Sequence, residues 1–372
     1  MKILQVLTHS AHVFSVDLSS LLLDGWHTRL GRELAKHSDC QVECLTFDPC
    51  IDKPLKIKIG NNLTLKAFPS ISVSFAYEYS HSEINYIKKV FSEEQDVILH
   101  IHGFPTFFAY MLITKIKRNI VVQDHGGGIT FLTPLWNLTG KYVSQYIDYI
   151  FVLSQLKKEY IRRYYGIDPA RIKIQTMGID LNKFRPLPQS KCRDLLNLPH
   201  DVKLVLYVGR FNYFKGLPLL IEEMYKLKTE NAELVCVGGV PGDPLYHMVK
   251  KKVKFCFGRV PHSIMPYFYN ACDVLAYFWK DVRWGGPSIA VMEAMACNKP
   301  VVSNTLLYSG INKDELEKRG CFIPLKVNEI GLFIKEALSR HHFSTRELAE
   351  KYFGWDSIVT NTIAIYRKIL EK

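Results

Sequence analysis

Short apolar runs alternate with charged stretches of helical period along the whole chain. Lys2–Leu7 reads as a strand, and Trp26–His37 as a helix with Trp26, Leu30 and Leu34 on one face. Val42–Phe47, Leu63–Phe68, Asp96–His102, Ile120–Gln123, Ile147–Ser154 and Ile172–Ile174 read as further strands. Ser82–Phe91, Phe107–Lys117 and Gln155–Tyr165 lie between them as helices. Phe184-Arg185-Pro186-Leu187-Pro188 is a proline-punctuated linker, after which the alternation restarts. Lys203–Val208, Leu234–Val237, Val253–Phe257, Val274–Phe278 and Val301-Val302 are its strands. Leu217–Leu227, Ile264–Asn270, Ile289–Cys297, Ile330–Leu338 and Thr345–Tyr352 are its helices, and Asp356–Leu370 is a long last one. Strands alternating with helices imply parallel α/β layering. The expected organisation is therefore two doubly wound domains, 1–185 and 186–354, with a helix at 355–372 crossing back to the first. Two such domains would enclose a cleft, and open α/β sheets bind ligands at the carboxyl ends of their strands.

Charge narrows the partners. The 372 residues carry a formal charge of +12, which favours phosphate groups, anionic lipid or nucleic acid. Nucleic acid is set aside because no recognition-helix, zinc or RNP-like pattern occurs. The nine cysteines are scattered with no C-x-x-C, so neither zinc nor a disulfide framework is indicated. That pattern fits a reducing, cytoplasmic setting. Thr8, His9 and His12 interrupt the N-terminal apolar run, unlike a signal peptide, and Phe104–Ile113 is too short to span a bilayer. Lys157-Lys158, Arg162-Arg163 and Lys250-Lys251-Lys252 read as solvated faces. Gln155–Tyr165, with tyrosines among its cations, has a second reading as a peripheral contact on an anionic membrane.

The chemistry-bearing stretch is Trp284–Val302, a glycine loop, a helix and a strand. Gly285 and Gly286 let backbone approach a ligand, and Ser288 is the expected N-cap. Glu293 is the only charged residue from Ile289 to Cys297. A buried carboxylate needs donors, which vicinal ribose hydroxyls would supply; an Arg or Lys of the chain is the competing partner. Arg210 and Lys215 follow strand Lys203–Val208 and suit a diphosphate, one as a fork and one as a point charge. His102 ends a strand before Gly103, and either faces the cleft or is a bonded core residue like His100. Asp124-His125, followed by three glycines, either orients an acceptor hydroxyl or forms a turn.

V-G-R-F-N-Y-F-K-G-L-P-L-L-I-E-E-M resembles the Arg/Lys motif of retaining nucleotide-sugar glycosyltransferases of family 4, which have the GT-B fold. T-M-G-I-D-L-N-K-F-R-P resembles that family's interdomain stretch. L-V-C-V-G-G, F-C-F-G-R-V, Y-N-A-C-D-V and M-E-A-M-A-C-N-K-P-V-V resemble its following blocks in order, and F-G-W-D-S-I its tail. The likeness runs from about Ile150 to the end; before that the chain matches by layout. It implies two Rossmann-like domains facing across a cleft, with Arg210 and Lys215 on the donor diphosphate and Glu293 on the ribose. It further implies Val260 near the base, His102 as the cleft histidine, and Gly285, Gly286 and Ser288 by the sugar and phosphates. The donor would be a nucleotide diphosphate sugar, the acceptor a glycan or a lipid-linked hydroxyl, and no metal or other cofactor is implied.

Two departures stand out. The family's E-x7-E pair requires a glutamate where Gly285 stands; backbone N–H groups of that loop, or Asp281, are the available substitutes. The usual Gly-Gly loop after the first strand is replaced by Thr8–Ser15 and Asp24-Gly25-Trp26-His27. No paired carboxylates suit glycoside hydrolysis, and no D-x-D-type metal site occurs. The competing functions are a nucleotide-sugar-binding relative without activity, a sugar-nucleotide epimerase and a phosphorylase.

Overall fold

The structure is a computed structural model and describes residues 1–11, 13, 16–74, 77–126, 133–227, 231–280, 282 and 285–372. The chain forms two compact units, Met1–Met177 with Ile358–Lys372, and Gly178–Ser357.

The first unit is built on an eight-stranded sheet. Its order is Ile172–Ile174, Tyr149–Val152, Ile120–Gln123, Val97–His102, Lys2–Leu7, Gln41–Asp48, Leu63–Pro69, Leu55–Ile59. All neighbours run parallel except the last pair. Every residue of Val97–His102 is buried, as a central strand covered on both faces must be. Leu55–Ile59 carries Lys56 and Lys58 and lies mostly exposed at the edge, so no apolar run announces it.

The second unit holds a six-stranded parallel sheet. Its order is Phe255–Gly258, Ala232–Gly239, Lys203–Val208, Val274–Ala276, Val301–Val302, Cys321–Phe322. Numbered within the unit, this is 3-2-1-4-5-6, the doubly wound nucleotide-binding order. Strand order reverses between Lys203–Val208 and Val274–Ala276 here, and between Lys2–Leu7 and Val97–His102 in the first unit. Those reversals open crevices at the carboxyl ends of the strands.

The units divide at Met177/Gly178, eight residues before the boundary expected at 185. The reason is packing. Ile179 and Phe184 are buried in the second unit's core, and Ile179 N–H donates to Phe353 O at 2.7 Å. Arg346 holds the carbonyls of Leu181, Phe184 and Ala296. A Cβ on Gly178 would fall 2.2 Å from the Trp355 ring, so only glycine passes there. The presumed linker is also tied down: Leu187 N–H donates to Asn270 Oδ1 at 2.9 Å, and Asn270 Nδ2 to Arg185 O at 3.0 Å. It then enters a helix, Gln189–Leu196.

The last helix, Trp355–Leu370, starts in the second unit and from Ile358 belongs to the first. Ile358, Val359, Ile363, Tyr366 and Ile369 are buried, and Gln175 Nε2 donates to Thr362 Oγ1 at 3.1 Å. No helix among the described residues is long and apolar enough to cross a membrane.

Candidate functional site

In the second unit, strand Lys203–Val208 ends at the reversal point in Gly209-Arg210. Gly209 has φ +147°, and a Cβ on it would stand 3.3 Å from Lys215 Nζ. This glycine thus turns the chain and leaves room for the ammonium. Arg210 Nε donates to Asp243 Oδ1 at 2.8 Å, yet the arginine side chain stays 67% exposed. Asp243 is enclosed; its second oxygen accepts the N–H groups of Phe211 at 2.9 Å and Val240 at 3.2 Å. Burial works to raise its pKa, but those backbone bonds and the guanidinium hold it below the ordinary value. Tyr207 O–H donates to Arg210 O at 2.9 Å, and Tyr207 stacks on Tyr277 with centroids 6.1 Å apart. Lys215 is half-buried, with Nζ 5.7 Å from the Tyr277 ring centre. Asn212 caps its turn, accepting Lys215 N–H at 3.1 Å. Two cations are thus fixed on one tyrosine-backed strand end.

Ser288 caps helix Ile289–Ala296, its Oγ accepting Val291 N–H at 3.2 Å. Glu293 is 4% exposed, and each of its oxygens has a partner. Tyr269 O–H donates to Oε2, and His262 Nε2 lies on Oε1, both at 2.7 Å. The competing Arg or Lys does not supply these bonds; a tyrosine and an imidazole do. A carboxylate has about four lone-pair positions, so a ribose hydroxyl would share Oε1 with the half-exposed His262 or displace it. Val260, partly buried against the core, lies two residues before His262. Gly285 is less constrained than its sequence suggests. A Cβ there would make ordinary contact with Trp279 at 3.7 Å. Gly286 and Ser288 are both half-buried. Asp281 and Trp284 lie outside the described residues.

Asp243, His262 and Tyr269 are the site residues that sequence reasoning missed. They sit 33, 31 and 24 positions from the groups they bind. His262, in the P-H-S-I turn just after Val260, was the one signal within reach.

In the first unit, the carboxyl ends of three adjacent strands are knitted together. Thr8 Oγ1 donates to the carbonyls of His102 at 3.0 Å and Gly103 at 2.8 Å. Gly103 N–H donates to Gln123 O at 3.0 Å. The loop that replaces the Gly-Gly turn is anchored by Glu78, which accepts Ser10 N–H at 2.9 Å and Ser10 Oγ. His12, Phe14 and Ser15 lie outside the described residues.

His102 is fully enclosed. Its Nε2 lies 2.5 Å from Gln5 Oε1 and its Nδ1 2.8 Å from His125 Nε2. The ring stacks on His100 at 4.3 Å. In this structure His102 is a bonded, enclosed ring with His125 at its Nδ1. His125 is the accessible imidazole, half-buried between His102 at 5.0 Å and Trp26 at 4.8 Å. Burial pushes His125 down to about 3 and His102 well below its ordinary value, so the cluster is neutral at physiological pH. Asp124 is buried beside Lys157, 3.6 Å away, and accepts Gly126 N–H at 3.3 Å. Burial raises its pKa against the pull of that ammonium. Gly127 and Gly128 lie outside the described residues. No cluster of three or more metal-ligating side chains occurs among the described residues.

Residues 28–183 match the family model Glycosyltransferase Family 4, and residues 202–336 match Glycosyl transferases group 1. The chain belongs to glycosyltransferase family 4. This family 4 chain is 25% identical over 249 residues to a D-inositol 3-phosphate glycosyltransferase of Xylanimonas cellulosilytica, covering 60% of the chain and 58% of the relative. It is 26% identical over 303 residues to an uncharacterized glycosyltransferase of Methanocaldococcus jannaschii, covering 74% and 76%. The chain spans about half the length of the inositol-phosphate relatives it matches. Among solved structures, sucrose-phosphate synthase from Thermosynechococcus elongatus superposes with a TM-score of 0.71 at 18% identity, over 100% of this chain and 99% of that one. HepE of Anabaena in complex with UDP gives 0.67 at 16% identity, over 99% and 100%. At such identities the likeness carries the fold, and the fold of this family 4 chain is GT-B.

Proposed function

We propose that the chain is a retaining glycosyltransferase, moving a sugar from a nucleotide diphosphate sugar to a hydroxyl of a glycan or lipid-linked acceptor. The observation that carries this reading is Arg210. It is pinned at Nε by an enclosed aspartate, left two-thirds exposed, and set beside Lys215 at the strand end where order reverses. Fixed cations there stabilise the charge that a diphosphate gains as the sugar C1–O bond breaks. Glu293 takes the ribose, Val260 borders the base, and the Gly285-Gly286-Ser288 loop meets sugar and phosphate. The acceptor hydroxyl forms the new bond to C1 on the face the diphosphate leaves, and its proton passes to a leaving phosphate oxygen. No metal takes part in this scheme. His125 and Asp124 belong to the acceptor side, His125 by contact and Asp124 by holding the loop, with His102 behind them.

The HepE structures hold UDP, UDP and glucose, or UDP-glucose, which supports a uridine nucleotide as the first donor to test. The relatives named for D-inositol 3-phosphate make that compound one member of the acceptor panel. All nine cysteines are unpaired, which supports a cytoplasmic setting. Lys158, Arg162, Arg163 and the exposed Tyr164 of helix Gln155–Tyr165 support a peripheral contact with an anionic membrane.

The test is transfer from UDP-, GDP- and ADP-sugars to a panel of glycan, lipid-linked and inositol-phosphate acceptors. Glycoside formation with the anomeric configuration kept supports the proposal. Donor binding without turnover points to an inactive relative; turnover that needs inorganic phosphate, or donor isomerisation without an acceptor, points to a phosphorylase or an epimerase.

A further inference from the structure

We infer that Gln5 and Tyr366 are positioning residues: together with His102 they decide which nitrogen of His125 carries its proton. The inference rests on the reading of His125 as the acceptor-side imidazole.

The four side chains form one hydrogen-bonded series, and Gln5, His102 and Tyr366 are fully enclosed. Tyr366 comes from the C-terminal helix, 361 positions from Gln5. Tyr366 Oη lies 2.5 Å from His100 Nδ1 and 3.0 Å from Gln5 Nε2. Gln5 Nε2 donates to Tyr366 Oη, which leaves the hydroxyl's one proton for His100 Nδ1. The amide is thereby oriented with its carbonyl toward His102. Gln5 Oε1 only accepts, so His102 donates from Nε2 at 2.5 Å. A neutral imidazole protonated at Nε2 has a lone pair at Nδ1. His125, 2.8 Å away, therefore donates from Nε2. Its own Nδ1 then carries the lone pair, able to accept a hydrogen bond from a substrate hydroxyl.

Turning the amide over reverses every step and makes His125 Nδ1 a donor, useless for holding an O–H. Tyr366 couples the amide to His100: in the reversed arrangement the hydroxyl donates to the amide oxygen and His100 has to carry its proton at Nδ1. The surroundings keep the rings uncharged. His27 lies 6.4 Å from His102, and His100 stacks on it at 4.3 Å. Burial lowers His27, His100 and His125 to about 3. Among the described residues, the titratable groups near the series include the Asp124–Lys157 pair beside His125, His9 near Gly103, and the Cys44 thiol behind His27, which burial keeps neutral.

The test uses the full chain labelled with nitrogen-15. Long-range proton–nitrogen spectra report which ring nitrogen of His125 is protonated in the wild type, in Tyr366→Phe and in Gln5→Leu. Gln5→Glu serves as the conservative variant, since both its oxygens accept. The wild type should show the Nε2–H form, Tyr366→Phe and Gln5→Leu a mixture of tautomers, and Gln5→Glu the Nε2–H form again. In transfer assays Tyr366→Phe should lose roughly tenfold to a hundredfold in kcat, as outer-sphere hydrogen-bond partners commonly do. Its donor KM should stay within about twofold, since Arg210 and Lys215 are untouched. A wild-type Nδ1–H form, an unchanged tautomer in Tyr366→Phe, or a tautomer change with kcat unaltered would overturn the inference. If Gln5→Leu does not fold, Tyr366→Phe, which loses one oxygen atom, decides alone. A wild type with the expected tautomer that transfers no sugar would instead sink the functional reading and leave the relay standing.

Discussion

Removing Arg210 separates function from stability in a way that removing its partner does not. The Arg210 side chain is 67% exposed and is held by its bond to Asp243. The guanidinium is exposed but the carboxylate is enclosed, so the pair contributes about 1–2 kcal/mol, more than a surface pair. Arg210→Ala should therefore lower the urea midpoint less than Asp243→Ala does, because Asp243 keeps its bonds from Phe211 and Val240. The catalytic cost is of another order. A single fixed donor facing developing negative charge is worth about 10²–10³ in rate, or roughly 3–4 kcal/mol. Asp243→Ala inverts the balance. It orphans the buried Phe211 N–H, at about 1–3 kcal/mol, exposes Val240 N–H to a smaller loss, and releases Arg210 from its pose. That variant should lose both stability, by about 2–4 kcal/mol, and donor affinity. The assay pairs urea unfolding with kcat/KM for the donor. The reasoning is refuted if Arg210→Ala unfolds as early as Asp243→Ala, or if it keeps kcat/KM within about threefold of wild type.

Further outcomes follow from other contacts. Lys215→Ala should cut kcat at saturating donor at least tenfold with the fold intact by circular dichroism, because its ammonium lies beside Gly209 and over the Tyr277 ring; an unchanged kcat removes it from the mechanism. Gly178→Ala should destabilise the chain by about 1–3 kcal/mol, since the new Cβ meets Trp355 at 2.2 Å, and a melting temperature equal to wild type would refute the packing argument. The buried histidines set the acid response. Their unfolded-state value is 6.5 and their folded value about 3, so between these limits the unfolded chain binds more protons. Stability should therefore fall as pH drops from 6.5, and a melting temperature flat from pH 7 to pH 5 would contradict it.

The sequence was most readable where one physical signal dominated. Two-sided burial makes Lys203–Val208 a nearly continuous apolar run and leaves His100 and His102 as the interruptions of Val97–His102, and both strands lie where expected. Ser288 caps its helix because a hydroxyl before an apolar run has few other uses. Leu55–Ile59 escaped because an edge strand facing water needs no apolar pattern. Phe184-Arg185-Pro186-Leu187-Pro188 looked like a linker because its prolines outweighed one phenylalanine; in three dimensions that phenylalanine is core. The site was legible as residue types, not as partnerships. Arg210, Lys215 and Glu293 could be named from spacing, whereas Asp243, Tyr269 and His262 are joined to them only by the fold. The histidines show the same limit. Alternation put His100 and His102 on one face, but burial, not spacing, decides that His125 is the ring left accessible.

The central claim is that Arg210 and Lys215 bind one nucleotide diphosphate. Calorimetric titration of UDP and UDP-glucose, with the GDP and ADP counterparts, into wild type and the Arg210→Ala/Lys215→Ala double variant tests it most directly. Saturable one-to-one binding of at least one nucleotide to wild type, weakened a hundredfold or more in a double variant that still unfolds cooperatively, is the predicted result. Equal binding by both proteins would contradict the account, as would no binding of any nucleotide to wild type.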